Sequence, residues 1–190
     1  MKEYIEDVKK AVDVMRAGGI ILYPTDTIWG IGCDASNSAA VRRIFELKRR
    51  SDSKSMLLLI DSDAKLGYYV PDIPDVAYDL MDLSEKPLTI IYDNVRHMAP
   101  ELIADDGSAG IRITREEFSR ELCRRMGGAV VSTSANISGQ PSAANYSEIS
   151  DEIKNGVDYI VEYRRDEKAR SVASSIIKLG SGGLVKVIRE

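Results

Sequence analysis

IILYPTDT (Ile20–Thr27) joins an apolar strand to a polar turn that opens with proline. After this turn the chain enters a helix that ends in the cations Lys48-Arg49-Arg50. A second apolar run, Ala129–Val131, ends in the hydroxyl-rich stretch STSANISG (Ser132–Gly139). In open α/β sheets, ligands gather beyond strand ends of this kind. Two polar elbows beside one basic helix end therefore predict a pocket for a polar, anionic ligand.

The hydrophobic pattern predicts helices and strands that alternate early, and short strands that cluster late. The predicted helices cover residues 5–15, 38–50, 76–83, 116–126 and a short stretch near 149–153. The predicted strands cover residues 20–23, 56–60, 88–92, 129–131, 159–161, 175–179 and 184–188. Residues 24–32 form the first elbow, 140–150 a loop and 180–183 a turn. We therefore expect an α/β fold, a single domain over residues 1–190 whose twisted sheet mixes parallel and antiparallel strands between flanking helices.

Composition excludes several classes of protein. A chain of 190 residues, 44% hydrophobic and 29% charged, can bury a core without disulfides or metals. The net charge of −4 argues against coating nucleic acid through overall charge, although it leaves room for a local basic patch. His97 is the only histidine, and Cys33 and Cys123 form no CxxC pair, so histidine triads and zinc sites lack their usual parts. No signal core or long apolar run is present, so we expect a soluble, cytoplasmic protein with reduced thiols that meets no membrane.

The cations at the end of the second helix allow two interpretations. They can simply decorate the helix C-terminus, where the dipole favours positive charge by about 0.3–1 kcal/mol. Alternatively the helix ends between Lys48 and Arg50, so that the two side chains converge. A lysine point charge and an arginine fork together suit a polyphosphate. The polar residues Ser51-Asp52-Ser53 that follow are consistent with such an ending.

The second elbow also has two interpretations. Its hydroxyls and amide can bond to their own backbone, as in many loops. Four hydroxyls and Asn136 between a buried strand and Gly139 favour a different function, in which backbone N–H groups hold phosphate or carboxylate oxygens. No GxxxxGK[ST] and no GxGxxG is present, so any nucleotide site is of another kind. In the first elbow, Thr25, Asp26 and Thr27 could equally cap a turn.

Arg112 lies between Ile111 and Ile113 and so faces away from both on a strand. If that face is covered, the guanidinium needs an anionic partner. A buried acidic residue would serve as well as the carboxylate of a substrate.

Four motifs in order resemble the YrdC-type threonylcarbamoyl-AMP synthase family: PTDTIWGIGCDA from Pro24, KRR from Lys48, GIRI from Gly110 and STSANISGQPS from Ser132. The resemblance runs from about Gly18 to Arg189. Members of this family make L-threonylcarbamoyladenylate and pyrophosphate from L-threonine, bicarbonate or CO₂, and ATP. Threonylcarbamoyl-transferase proteins then move the group to the N6 of a tRNA adenosine. The resemblance implies that this chain is a nucleotidyltransferase with those substrates and downstream partners.

The resemblance also implies site residues. The implied catalytic residues are Lys48, Arg50, Ser134 and Asn136. The implied threonine contacts are Thr27, Arg112, Ser134 and Ser174. The implied ATP contacts are Arg50, Lys54, Ser108, Asn136 and Arg189. No metal ligand is implied in the protein; Mg²⁺ is expected on the ATP phosphates, and no tightly bound organic cofactor is expected.

The chain departs from the family pattern at positions that affect the shape of the pocket. These are Trp29 for tyrosine, Arg49 for glycine, Ser55-Met56 for Pro-Leu, Ser174-Ser175 for Ser-Thr, and Leu59 for a histidine of some relatives. The implied chemistry joins two anions, which Lys48, Arg50 and Arg112 would neutralise. Because the carbamate intermediate decomposes in water, a loop should shield it, either 140–150 or 162–173.

Two other functions remain open at this point. One is a non-catalytic module that binds double-stranded RNA or tRNA, or a ribosome-maturation factor, with Arg42 and the KRR cations on its surface. The other is carbamoyl transfer from carbamoyl phosphate, although the chain lacks the zinc-finger cysteines of the larger proteins that do this. The net charge of −4 weighs against RNA binding as the main function.

Overall fold

The computed structural model describes residues 4–50, 56–169, 173–180 and 182–190. The strands are β1 (Ile21–Tyr23), β2 (Gly30–Gly32), β3 (Leu57–Ile60), β4 (Leu88–Tyr92), β5 (Ala109–Ile113), β6 (Val130–Ser134), β7 (Tyr159–Ile160), β8 (Ser175–Leu179) and β9 (Val185–Arg189). The α-helices are α1 (Ile5–Arg16), α2 (Ser38–Leu47), α3 (Leu66–Tyr69), α4 (Val76–Leu83), α5 (Glu117–Met126) and α6 (Asp151–Gly156). Short 3₁₀ turns cover Asp63–Lys65, Pro100–Leu102 and Tyr146–Glu148.

The strands pair side by side in the order β7-β1-β2-β6-β3-β5-β4-β8-β9. The pairs β1/β7, β3/β5 and β4/β8 are parallel. The other neighbours are antiparallel. The predicted α/β fold with a mixed sheet and flanking helices is therefore confirmed.

Alternation along the strands divides the core into two layers. Leu22 and Leu58 belong to the layer that packs on α2, α3 and α4. Tyr23 and Leu59, one residue further along their strands, belong to the layer under α1 and α5. The helices α1 and α5 cover the part of their face around β1, β3 and β6. The rest of that face, towards β4 and β8, is left for a cavity.

Most elements match the sequence prediction, although α3 was not predicted and α2 ends at Leu47 instead of residue 50. Two further stretches, both at the cavity, also differ from the prediction. The helix α4 and the strand β4 have the predicted bounds, and Asn37 caps α2 by accepting a hydrogen bond from the Ala40 N–H at 3.0 Å. Gly30–Gly32, predicted as part of the first elbow, is instead a strand between β1 and β6. A Cβ at Gly32 would lie 2.4 Å from the Val131 carbonyl oxygen, so glycine permits this close pairing.

The second difference concerns Ser132–Ser134, which continue β6 rather than beginning an elbow. Their pairing with β2 and β3 supplies the backbone bonds that a polar stretch would otherwise take from its own side chains. Within the described ranges, no helix has the length and apolar character needed to cross a membrane.

Candidate active site

A cavity of about 230 Å³ lies on the face of the sheet that α1 and α5 leave open. Its floor consists of alternate strand residues, such as Thr89 and Ile91 on β4 and Gly110 and Arg112 on β5. Residues two apart on a strand share a face, so the cavity lies across the sheet. The cavity also takes in Thr27 and Ser134, which belong to the two polar segments that the sequence predicted to border a pocket. Where a ligand sits relative to the strand ends stays a prediction.

The structure brings together six of the ten predicted site residues. The cavity is lined by Thr27, Arg50, Arg112, Ser134, Ser174 and Arg189. Lys48, Ser108 and Asn136 lie outside the lining, and Lys54 falls outside the described residues. Three arginines contribute to the lining, and none of the described lining residues is acidic. This balance of charge favours an anionic ligand.

The end of α2 separates Lys48 from Arg50. The backbone of Arg49 has φ 49°, in the left-handed region that glycine normally takes at this position. The N–H of Arg49 donates to the Glu46 carbonyl at 3.0 Å, and the N–H of Arg50 donates to the Phe45 carbonyl at 2.9 Å. This bond pattern is a Schellman ending, so the helix stops between the two cations. The second interpretation of the KRR motif required such a stop.

Lys48 turns inward and holds the second elbow. Its side chain is buried, with 1% of the residue exposed. The ammonium donates to the Ser134 carbonyl and, at 2.5 Å, to the Asn136 carbonyl. Burial, and to a lesser extent the neighbouring Arg50, lowers the pKa of Lys48 to about 7. Lys48 therefore acts on the backbone that shapes the cavity, whereas Arg50 lines the cavity itself.

Arg112 has an acidic partner that the sequence analysis did not assign. Its Nη2 lies 3.0 Å from Asp26 Oδ1 and donates to Thr27 Oγ1 at 3.3 Å. Only 2% of Arg112 is exposed, and its buried Nε has no hydrogen-bond acceptor among the described residues. Burial lowers the pKa of Arg112, and the charge of Asp26 opposes that shift. A buried acid is thus present, and one donor atom is left for a further acceptor.

The first elbow fixes Thr27 through its own hydroxyls. Thr25 Oγ1 donates to the Ile28 carbonyl at 2.8 Å, and the Thr27 N–H donates to Thr25 Oγ1 at 3.0 Å. These local bonds form a tight turn of the kind that serine and threonine favour. The turn presents the Thr27 hydroxyl to Arg112 and to the cavity. Capping a turn and lining a site are therefore compatible roles for this segment.

Arg189 and Thr89 brace Ser174 at the opposite wall. The Nε and Nη2 of Arg189 both donate to the Ser174 carbonyl, at 2.9 and 2.7 Å. The hydroxyls of Ser174 and Thr89 lie 2.9 Å apart, within hydrogen-bond distance. The last strand, β9, is thereby tied to the segment that precedes β8.

The remaining predicted residues shape the surroundings of the cavity. The Ser108 hydroxyl donates to Asp106 Oδ1 at 2.5 Å. A hydrogen bond from Lys178 and the bonds from Ser108 lower the pKa of Asp106 to about 2. Asn136 Nδ2 donates to the Ile137 and Gln140 carbonyls at 3.0 and 2.7 Å, which closes the second elbow. The assignments of Ser108 and Asn136 as ATP contacts stay predictions.

Both loops expected to shield the site reach the cavity. Ser142 of the 140–150 loop and Ala173 of the 162–173 loop contribute to its lining. Tyr146 packs against Trp29 with ring centroids 5.0 Å apart. Arg164 donates to the Thr25 carbonyl at 3.0 Å and so ties the second loop to the first elbow. Closure of either loop stays a prediction.

Comparison with known proteins identifies the family. The family model Sua5_yciO_yrdC, whose description reads "Telomere recombination", matches residues 13–190. The chain belongs to the Sua5/YciO/YrdC family. The threonylcarbamoyl-AMP synthase of Stenotrophomonas maltophilia is 36% identical over 166 residues, which are 85% of this chain and 88% of that protein. The protein of the same name from Idiomarina loihiensis is 33% identical over 147 residues, 76% of this chain and 79% of that protein.

Solved structures of Sua5 share the fold of this family member. A variant of P. abyssi Sua5 superposes with a TM-score of 0.85 at 25% identity, over 99% of this chain. P. abyssi Sua5 complexed with L-threonine superposes with a TM-score of 0.84 at 23% identity, over 96% of this chain. This chain spans only 58% and 53% of those two chains.

Proposed function

We propose that this Sua5/YciO/YrdC protein is a nucleotidyltransferase that forms L-threonylcarbamoyladenylate and pyrophosphate from L-threonine, bicarbonate or CO₂, and ATP. The product would serve the N6-threonylcarbamoyladenosine modification of tRNA through transferase proteins. The observation that carries the proposal is a cavity lined by Arg50, Arg112 and Arg189 without a described carboxylate in its lining. The names of the curated relatives support it, as does the L-threonine bound in the P. abyssi protein.

The threonine carboxylate would bind at Arg112. The guanidinium already has one acidic neighbour, Asp26, and its Nε has no described acceptor. A carboxylate placed against Nε would receive a charge-assisted hydrogen bond in a buried setting. The Thr27 hydroxyl, fixed by the first elbow, lies within reach of the same ligand.

The reaction would proceed in two steps. The threonine amine attacks the carbon of CO₂, forms an N–C bond and releases a proton, which gives a carbamate; bicarbonate would lose water in the same process. A carbamate oxygen then attacks the α-phosphorus of ATP in line as the bond to the pyrophosphate oxygen breaks. Both reactants are anions, so their approach in water is opposed by charge repulsion. Arg50 and Arg112 would offset that charge and align the reacting groups.

Lys48 would act in this mechanism by positioning the second elbow. Its two bonds to backbone carbonyls keep Ser134 at the cavity wall. The cavity volume of about 230 Å³ is below the usual range of about 300–1,000 Å³ for small-molecule sites, so a nucleotide would extend beyond it. The neighbouring Arg50 and Arg189 would then meet the phosphates at its rim.

Mg²⁺ would accompany ATP. Within the described part of the chain, no group of three or more His, Cys, Asp or Glu residues could hold a metal ion. Mg²⁺ commonly keeps water ligands and binds through substrate phosphates, so the donor set here fits a metal carried by the nucleotide. Bound there, it would supply charge neutralisation on the triphosphate.

The proposal accounts for the surface cations better than RNA binding does. Arg42, Arg43 and Arg49 pair with Glu101, Asp158 and Glu152. Lys48 is buried and bonded to carbonyls. These partners reduce the field available to a phosphate backbone, which weighs against a module that works by binding RNA.

The test is product analysis by mass spectrometry. The chain is incubated with ATP, L-threonine and bicarbonate, and each component is omitted in turn. We expect threonylcarbamoyladenylate and pyrophosphate only in the complete mixture. Absence of the adenylate, with binding of double-stranded RNA or tRNA that needs no ATP, would instead support the RNA-binding module. Consumption of carbamoyl phosphate in place of threonine and bicarbonate would support carbamoyl transfer.

A further inference from the structure

Arg164 reaches across the molecule to the backbone of the first elbow. Its Nη1 donates to the Thr25 carbonyl at 3.0 Å. The Ser119 hydroxyl also approaches this backbone, 3.4 Å from the Pro24 carbonyl, but its single proton is shared with Glu116 Oε2, which lies nearer at 2.5 Å. The direction of the elbow backbone therefore depends chiefly on Arg164.

The peptide that Arg164 holds leads directly into two contacts of Arg112. The Thr25 carbonyl belongs to the peptide bond with Asp26, and a planar peptide fixes the direction in which the chain continues. Asp26 Oδ1 lies 3.0 Å from Arg112 Nη2, and Thr27 Oγ1 accepts a hydrogen bond from the same nitrogen at 3.3 Å. Because Thr27 and Arg112 also line the cavity, a rotation of this peptide would change the geometry of the cavity wall.

A short network fixes the guanidinium of Arg164. Its Nη1 lies 3.5 Å from Glu116 Oε1, and its Nε donates to Glu167 Oε1 at 2.8 Å. The side chains of Arg164 and Glu116 are 21% and 11% exposed, so solvent screens this pair less than an exposed one. Glu116 is itself fixed at the start of α5, where its Oε2 accepts from the Ser119 N–H at 2.7 Å. The guanidinium is therefore held against the elbow by a helix end.

The backbone of Arg164 is strained. Its φ is 65°, in the left-handed region that is unfavourable for residues with a Cβ. Such strain persists only where the surroundings fix the residue, and strained residues are frequent at functional sites. Glycine would adopt this conformation without strain, but it would lack the donor to the Thr25 carbonyl. The contacts of the arginine side chain must therefore offset the strain.

We propose that Arg164 is a positioning residue for threonine binding. It holds the Thr25 carbonyl, so that Asp26 and Thr27 keep the Arg112 guanidinium directed at the threonine carboxylate. The inference rests on the proposed function, because it takes L-threonine as the ligand of Arg112. Arg164 is not among the residues that line the cavity, so it acts through the elbow rather than on the substrate.

The test compares Arg164→Ala and Arg164→Gly by calorimetric titration of the intact chain with L-threonine and by a thermal melt. Both variants remove the guanidinium, so both should weaken L-threonine binding by roughly 5-fold or more, and by similar factors. Only glycine relieves the left-handed backbone, so Arg164→Gly should melt about 2–4 °C above Arg164→Ala. The affinity for threonine thus follows the guanidinium, whereas the melting temperature follows the backbone.

Steady-state kinetics add a second readout. In both variants the threonine KM should rise by about the same factor as the dissociation constant, whereas the ATP KM should change by less than about 2-fold. Arg164→Lys keeps a charged donor on a flexible stem, so it should lose less threonine affinity than Arg164→Ala.

Arg49→Ala is the matched control, because Arg49 is also an arginine with a left-handed backbone and an acidic partner, Glu152 of α6. It should change the threonine affinity by less than about 2-fold. Unchanged threonine affinity in Arg164→Ala and Arg164→Gly, a loss that follows the melting temperature instead of the guanidinium, or an equal loss for ATP and threonine would each overturn the proposal.

The calorimetric titration also separates this inference from the proposed function. A parent chain that binds L-threonine but forms no adenylate would overturn the proposed reaction alone, and weaker threonine binding by the Arg164 variants would still support the positioning role. A parent chain that does not bind L-threonine would overturn the positioning role as well.

Discussion

Replacement of Arg112 by lysine separates two roles of this side chain, the ion pair with Asp26 and the proposed contact with the threonine carboxylate. In the structure, Nη2 contacts Asp26 and Thr27, while Nε has no described acceptor. A lysine ammonium could keep the ion pair with Asp26, but it cannot offer a second, parallel donor to a substrate carboxylate. Loss of one charge-assisted hydrogen bond costs about 1.5–3 kcal/mol, so the threonine KM should rise roughly 10- to 150-fold. The KM for ATP should hardly change.

The assay is steady-state kinetics with each substrate varied in turn, together with a thermal melt. Asp26→Asn is the matched control, because it removes the charge of the acidic partner and keeps the guanidinium. If Arg112 only stabilises a buried acid, Arg112→Lys and Asp26→Asn should both lower the melting temperature and weaken both substrates together. An unchanged threonine KM in a well-folded Arg112→Lys protein would refute the carboxylate contact.

Three further predictions concern the end of α2. Arg50→Ala should lower kcat/KM by about a hundredfold or more because Arg50 lines the cavity, and Lys48→Ala should do so because it releases the backbone of the second elbow. Arg49→Ala should have a much smaller effect, and equal, mild losses in the three variants would contradict both roles. Arg49→Gly should be more stable than Arg49→Ala by about 1 kcal/mol, or about 2–4 °C in Tm. Both variants lose the exposed ion pair with Glu152, but only glycine adopts the left-handed backbone conformation without strain. Equal melting temperatures would contradict this. Burial lowers the pKa of Lys48 from 10.5 to about 7. Between pH 7 and pH 10.5 the lysine is therefore more protonated in the unfolded chain than in the folded protein. The free energy of unfolding should rise with pH across that window. Urea titrations at several pH values should show this rise in the parent, at most about 1.4 kcal/mol per pH unit, and a smaller one in the Lys48→Met control. The same change in the free energy of unfolding with pH in both proteins would exclude a contribution from Lys48.

The sequence predicted elements well where local signals are strong. The helix α4 and the strand β4 have continuous apolar patterns, and Asn37 is a good cap for α2. The strand β2 was missed, because a Gly-Ile-Gly segment has little strand preference by itself. It becomes a strand only through pairing with β1 and β6, and such long-range pairing is not visible in the local sequence.

The residues that line the cavity were easier to predict than the contacts that hold them in place. The motifs pointed to Arg50 and Arg112, and both line the cavity. The inward turn of Lys48 was not predicted, because it depends on the Ser134 and Asn136 carbonyls, which are distant in sequence. The sequence showed that a buried Arg112 needs an anionic partner, and Asp26 is an acidic residue of the first elbow. Only the packing of that elbow against β5 identifies Asp26 as the partner.

The last strand has a consequence for how the cavity opens. All five residues of β9 are exposed, and Val187 and Ile188 are 58% and 49% exposed, so this strand buries little apolar surface. Segments with few buried contacts undergo local opening at a lower free energy than the whole fold. Arg189, which braces Ser174, lies in this strand, so fraying of β9 releases that wall of the cavity while the rest of the sheet stays paired. Amide hydrogen exchange in β9 should therefore be fast in the free protein and should slow when a ligand occupies the cavity.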